Sequence, residues 1–178
     1  MALKKYSKPK MNTTYSGYHS NLSTTSRGKA GIDYIVVHYT GTNASAKNNC
    51  IFFSRNGSST NASADFFIGK TGKIWRYNSN LKKYYSWHCG DGYGAYGITN
   101  GNSIGIECVS DGSAAFTAKQ IAALGKLVKW LQYRFNVDSD HVVRHYDASR
   151  KTCPAWYAGA SGTAKGKRWK TLKAKIAQ

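Results

Sequence analysis

The sequence predicts a single α/β domain in which a central mixed β-sheet is flanked by helices. Three observations carry this. At 178 residues with 41% hydrophobic content, the chain can bury one real core and is too short for two. Short β-branched and aromatic runs of strand length alternate with segments of helical periodicity. No internal repeat or interdomain linker interrupts the pattern, and strands mixed with helices in this way give an α/β layer architecture.

Residues 1–30 are polar and basic and read as an irregular arm packed on or preceding the domain, which spans 31–178. The run from Ile32 to Tyr39 is apolar enough for a central strand, and Thr40-Gly41-Thr42-Asn43 ends it. A short helix fits 44–55, with Asn43 as its N-cap and Asn56-Gly57 as its close. Ala64–Ile68 and Ile74–Tyr77, joined through Lys70-Thr71-Gly72-Lys73, read as a hairpin with a glycine turn. The stretch from Tyr84 to Gly101 is rich in glycine and aromatics, and loops of that length inside a small domain are usually functional. Ser103–Val109 reads as another strand. A helix then runs from an N-cap at Thr117 to Asn136, with Ile121, Leu124, Leu127, Val128, Leu131 and Phe135 at helical spacing. A short strand over His141–His145, an irregular stretch opened by Pro154 and a terminal helix over Lys167–Ile176 complete the pattern.

The formal net charge is +18, which points to an anionic partner or surrounding and says nothing about fold. Lysine and arginine concentrate at both ends, Lys4–Lys10 and Lys165–Lys175. No run approaches the roughly 20 apolar residues of a membrane span, and no nucleic-acid-binding motif appears. Met1–Lys10 is basic but leads into polar residues, unlike a Sec signal peptide. The expectation is therefore synthesis in the cytoplasm, with any action outside it following release by other means. The four cysteines, Cys50, Cys89, Cys108 and Cys153, include no Cys-x-x-Cys pair, and a disulfide framework is not expected.

Five histidines are present: His19, His38, His88, His141 and His145. His38 ends an apolar strand, where side chains commonly face a site at the sheet's edge. His145 ends another, and Cys153 follows it by eight residues. Two imidazoles and a thiolate suit zinc, with a fourth position left open. Glu107, the only glutamate, lies inside the apolar run Ile104–Val109. Burying a carboxylate there is costly unless it is paired or functional. Either it faces solvent on an edge strand, or it serves as a proton acceptor in a site. Gly105, a poor strand former two positions away, indicates close approach by another group. His19 and His141 have no motif support.

These residues fall into a recognisable order. Val36-Val37-His38-Tyr39-Thr40, the hairpin from Ala64 to Gly72, Trp87-His88-Cys89-Gly90, Ser103-Ile104-Gly105-Ile106-Glu107, Arg144-His145-Tyr146-Asp147 and Lys151-Thr152-Cys153-Pro154 follow one another over about Tyr34–Trp156. In this the chain resembles the type 2 N-acetylmuramoyl-L-alanine amidases, above all the catalytic domains of phage endolysins, whose fold is shared with peptidoglycan recognition proteins. Several short motifs in order are more specific than any one.

The resemblance implies one Zn²⁺ per chain held by His38, His145 and Cys153, with Glu107 as general base and then general acid. It implies a monomer that hydrolyses the amide between N-acetylmuramic acid and L-alanine in peptidoglycan, its basic surface meeting anionic wall polymers. The alternative is a non-catalytic peptidoglycan-binding module of the same fold. Lys151 either helps hold the carbonyl oxyanion or is a surface charge, and a tyrosine that partners this lysine in some members is replaced by Ala64. His88, Trp87 and Tyr39 are candidates for contact with substrate, although a loop histidine such as His88 is equally well satisfied by backbone groups. Trp75, Tyr93 and Tyr96 join Trp87 as candidates for stacking on sugar rings.

Overall fold

The structure is a computed structural model and describes residues 3–15, 21–23, 25–27, 31–55 and 62–178. His19 and the expected helix close at Asn56-Gly57 lie outside the described residues. Five strands form one mixed sheet: β1 (Tyr34–Tyr39), β2 (Phe66–Ile68), β3 (Ile74–Arg76), β4 (Ser103–Cys108) and β5 (Val142–Arg144). Their spatial order is β3-β2-β4-β1-β5. β1 lies parallel to both β4 and β5, β2 is parallel to β4, and only the β2–β3 hairpin is antiparallel. β4 is therefore interior to the sheet, so Glu107 does not stand on an edge strand.

Alternation along the central strands sorts their side chains into two layers. Ile35, Val37, Ile104, Ile106 and Cys108 face one way into the main core. That face is covered by α2 (Ala118–Phe135) and α4 (Ala164–Ile176). Leu124, Leu127, Val128 and Leu131 of α2 and Leu172 and Ile176 of α4 are buried against it, each such side chain contributing about 1.5–3 kcal/mol. Thr117 caps α2 with a full capping box closed by Gln120, and Asn136 ends it in a left-handed conformation, as the sequence indicates.

The opposite face is covered in two pieces. α1 (Ala46–Ser54) packs over the hairpin side, with Ala46 and Cys50 buried beside Phe67 and Tyr77. The segment 84–101 and α3 (His145–Ser149) cover the β1–β5 side, with Cys89, Ile98 and Ala148 against Val36. His38 and Glu107 lie on this face of the sheet, at the C-terminal ends of β1 and β4.

Three local expectations change. Ser45, not Asn43, caps α1, because its hydroxyl accepts the Asn48 N–H. Asn43 instead bonds Asp111 and Lys70. His145 does not end β5 but opens α3, where the Asp147 carboxylate accepts the backbone N–H of Arg144. α4 starts three residues earlier than its apolar spacing suggests, capped by Thr163. Gly166 obscures that first turn in the sequence, and it is needed there because the Ala160 backbone leaves no room for a Cβ.

The described part of the N-terminal arm lies on the domain. Asn12 bridges to Trp75, and Leu22 to Ser86. Arg27 is buried and donates from Nε to the carbonyls of Leu81 and Tyr84 and from Nη1 to those of Asn100, Gly101 and Ser103.

Candidate metal centre

Strand register brings the first two residues together. His38 on β1 is the direct partner of Glu107 on β4, and both point to the same face of the sheet. His145 arrives from the start of α3, held in place by Arg144, whose guanidinium forms a bidentate pair with Asp147 and also donates to the carbonyls of Tyr157 and Gly159. Cys153 is drawn in by its own carbonyl, which accepts the Tyr146 N–H at 2.9 Å. As a result, one donor atom each from His38, His145 and Cys153 lies within 4.8 Å of the others, and all three residues are buried. The Cys153 sulfur stands 3.7 Å from Nδ1 of His38.

Each imidazole has an outer partner. Nε2 of His145 meets Oδ1 of Asp91 at 2.6 Å, and the other Asp91 oxygen lies 3.7 Å from Nζ of Lys151. Asp91 is the only acidic residue of the Gly-rich segment 84–101 and sits in a 3-10 turn over Gly90–Gly92. A carboxylate behind a ligating histidine fixes its orientation and raises its basicity. Nε2 of His38 meets Nδ1 of His88 at 3.0 Å, and Nε2 of His88 meets the hydroxyl of Ser103 at 3.1 Å. The His88 ring lies where a Cβ on residue 105 would stand, which is the close approach that Gly105 signals in the sequence.

Burial dominates the electrostatics. It pushes His38 well below the usual histidine range and His88 down to about 3, and it lowers His145 despite the opposing pull of Asp91. It drives the Cys153 thiol upward. It also raises Glu107 to about 8, against the opposing charge of Lys151. Glu107 Oε2 is buried and has no hydrogen-bond partner among the described residues. A buried carboxylate left open costs free energy and signals a missing partner. Neutral imidazoles, a thiol able to lose its proton and an open carboxylate together fit a soft dication such as zinc.

The remaining sequence candidates are placed as follows. Lys151 stands at the rim with its side chain 59% exposed, beside Asp91. His88 is buried behind His38 rather than open to solvent. Tyr39, one residue beyond His38, turns to the other face of the sheet, near the positions of Gly112 and Ala155. Trp87 is 38% exposed and packs edge-on against Tyr85. Tyr93 is 95% exposed, Tyr96 lies under the Arg150 guanidinium at 4.0 Å, and Trp75 stacks on Tyr15 in the core beneath α1. His141 packs on Tyr34 away from the cluster. Asp91 and Ser103 are the participants that sequence reasoning missed.

A family profile for N-acetylmuramoyl-L-alanine amidases matches residues 27–156. The chain belongs to that family. The amidase CwlA of Bacillus subtilis (strain 168) is 33% identical over 124 residues, covering 68% of this chain and 43% of that protein. The amidase XlyB of the same strain is 32% identical over 146 residues, covering 81% of this chain and 42% of that protein. The chain thus spans less than half the length of these relatives. Among solved structures, the catalytic domain of XlyA superposes with a TM-score of 0.70 at 27% identity, covering 95% of this chain and 100% of that one. The amidase family match spans every residue of the cluster, from His38 to Cys153.

Proposed function

We propose that this amidase-family chain hydrolyses the amide bond between N-acetylmuramic acid and L-alanine in peptidoglycan, with one zinc ion held by His38, His145 and Cys153. The observation that carries the reading is the triad of buried donors within 4.8 Å beside a carboxylate oxygen that has no partner among the described residues. Zinc in such a site supplies Lewis acidity for an amide carbonyl and its attacking water.

The chain's own residues supply the rest. Glu107 accepts a proton from water as the oxygen adds to the lactyl carbonyl, then delivers that proton to the leaving L-alanine nitrogen as the C–N bond breaks. Asp91 holds His145 in orientation. Lys151, tethered to Asp91 at the rim, favours negative charge as it develops on the carbonyl oxygen. Substrate reaches the cluster from the side of the exposed Trp87. A trough lined by Thr40, Thr42, Asn48 and Phe52 lies beyond the end of β1.

The charge of +18 is directed at the anionic polymers of the wall, where the protein acts as a monomer after leaving the cytoplasm by lysis-dependent release. Mass spectrometry of digested peptidoglycan tests the reaction. Free L-alanine amino termini with intact glycan strands are expected, and reducing sugar ends or cleaved peptide cross-links would refute it. Zinc content near one per chain, lowered in Cys153→Ser, tests the metal.

A further inference from the structure

We propose that Ser103 and His88 form a one-way hydrogen-bond relay that keeps the proton of His38 on Nε2 and presents its Nδ1 bare to the metal site. The inference rests on the metal reading above and concerns residues to which that reading gives no role. Its starting point is the Thr99 carbonyl, which can only accept and which lies within hydrogen-bond distance of the Ser103 hydroxyl. Ser103 has one proton, and that contact takes it. Toward His88 the Ser103 oxygen is therefore an acceptor, so the His88 nitrogen facing it, Nε2 at 3.1 Å, must carry hydrogen.

The direction then passes inward. Both hydrogen-bonding positions of the His88 ring are occupied, by Ser103 and His38. Neither partner is anionic, so a buried cationic ring would have no counter-charge in contact and the neutral ring is favoured. A neutral imidazole with hydrogen on Nε2 has a bare Nδ1. That atom faces Nε2 of His38 at 3.0 Å, so His38 must donate there. Its remaining nitrogen, Nδ1, is left as a lone pair. It is this atom that faces the Cys153 sulfur, at 3.7 Å, inside the donor triad. An unconstrained neutral histidine would distribute its proton between both nitrogens, and only one of the two tautomers can bind here.

One strand builds the device. Ser103, Gly105 and Glu107 alternate along β4 and share its site face. Ser103 orients His88, Gly105 gives the His88 ring its seat, and Glu107 stands beside His38. The loop end is fixed as well, because the side-chain oxygen of Asn100 accepts the backbone N–H groups of His88 and Cys89. His88 and Ser103 are positioning residues, acting on the metal site only through His38.

Two measurements test the relay. In a long-range ¹H–¹⁵N correlation spectrum of the histidine-labelled protein after zinc is stripped, His38 and His88 should both appear as neutral Nε2–H tautomers. In Ser103→Ala, His38 should become a mixture. His38 protonated on Nδ1, or already mixed in the wild type, would overturn the proposal. Zinc affinity by chelator competition should fall roughly 10–100-fold in Ser103→Ala and in His88→Phe, the latter keeping a ring over Gly105. The double variant should bind zinc no more weakly than His88→Phe, because Ser103 acts only through His88. Additive losses, or unchanged affinity in both single variants, would also overturn it. The tautomer spectrum needs no metal. A chain that binds no zinc would thus defeat the reading of the site, while the relay is still decided by the spectrum.

Discussion

His38 and Glu107 are direct register partners on the parallel strands β1 and β4, so a histidine of the candidate metal cluster and a carboxylate oxygen without a partner among the described residues stand side by side on one face of the sheet. Adjacent strands stand about 4.8 Å apart, which is the scale of a site in which one group binds and the next moves protons. The pairing is set by backbone hydrogen bonds and does not depend on loop conformation. Several measurable consequences follow from it and from the groups around it.

Glutamine at position 107 preserves shape but cannot accept a proton at neutral pH. Glu107→Gln should fold, retain zinc and bind muropeptide, while amide cleavage falls by about 10²–10⁴. The check is turnover on a defined muropeptide with zinc measured on the same sample. Near-wild-type cleavage would remove Glu107 from the chemistry and shift attention to Lys151. A wild type that binds muropeptide but cleaves nothing would favour a binding module.

Without metal, two buried groups give opposite slopes of stability against pH. His88 titrates at about 3 in the fold against 6.5 in the unfolded chain, so the unfolded state binds more protons in that window and stability rises with pH across it. Glu107 titrates at about 8 in the fold against 4.5 unfolded. Here the folded state binds more protons, and stability falls as pH rises from 4.5 to 8. Urea midpoints in the presence of chelator should therefore decline above pH 6.5 in the wild type. In Glu107→Gln that decline should largely disappear.

Asp91 contacts both His145 and Lys151. Asp91→Asn keeps a hydrogen-bonding side chain but removes the negative charge behind the ligand. Zinc affinity should drop roughly 10–100-fold, read by competition with a chromophoric chelator, while thermal stability of the metal-free form changes little. Unchanged affinity would reduce the Asp91–His145 contact to a surface ion pair.

Salt separates attachment from chemistry. Binding to intact walls should weaken steeply as ionic strength rises past about 0.1 M, where the Debye length is about 10 Å. Cleavage of a small soluble muropeptide should barely change over the same range. Equal sensitivity on both substrates would place the effect of salt at the active site.

The architecture was legible because its signals are local. The apolar run Ile32–Tyr39, the spacing from Ile121 to Phe135 and the Thr117 cap each carry their own period or hydrogen-bond chemistry. The residues of the candidate cluster stand out in the sequence because each is out of place locally: a histidine ending an apolar strand, a glutamate within one, a cysteine before proline. Asp91 and Ser103 gave no such signal. An aspartate between two glycines and a serine opening a strand are ordinary in sequence, and only the folding of 84–101 over β1 and β4 gives them partners. Asn43 misled for a related reason. It is a good cap by type, but Lys70 and Asp111 claim its side chain, and Ser45 takes the position. Tyr39 adjoins His38 in sequence, yet strand alternation sends it to the opposite layer.

The buried guanidinium of Arg27 has a consequence for where this domain can be cut. Judged by strands and helices alone, a protein trimmed to start at Gly31 would look complete, since β1 begins at Tyr34. Such a trimmed protein would nevertheless leave the carbonyls of Leu81, Tyr84, Asn100, Gly101 and Ser103 without their shared donor, on both sides of the segment that carries His88 and Asp91. A truncation at the far end of the chain from Cys153 would thus be felt at the His38–His145–Cys153 cluster. Anyone grafting this domain onto a new wall-binding partner should place the junction well upstream of Arg27.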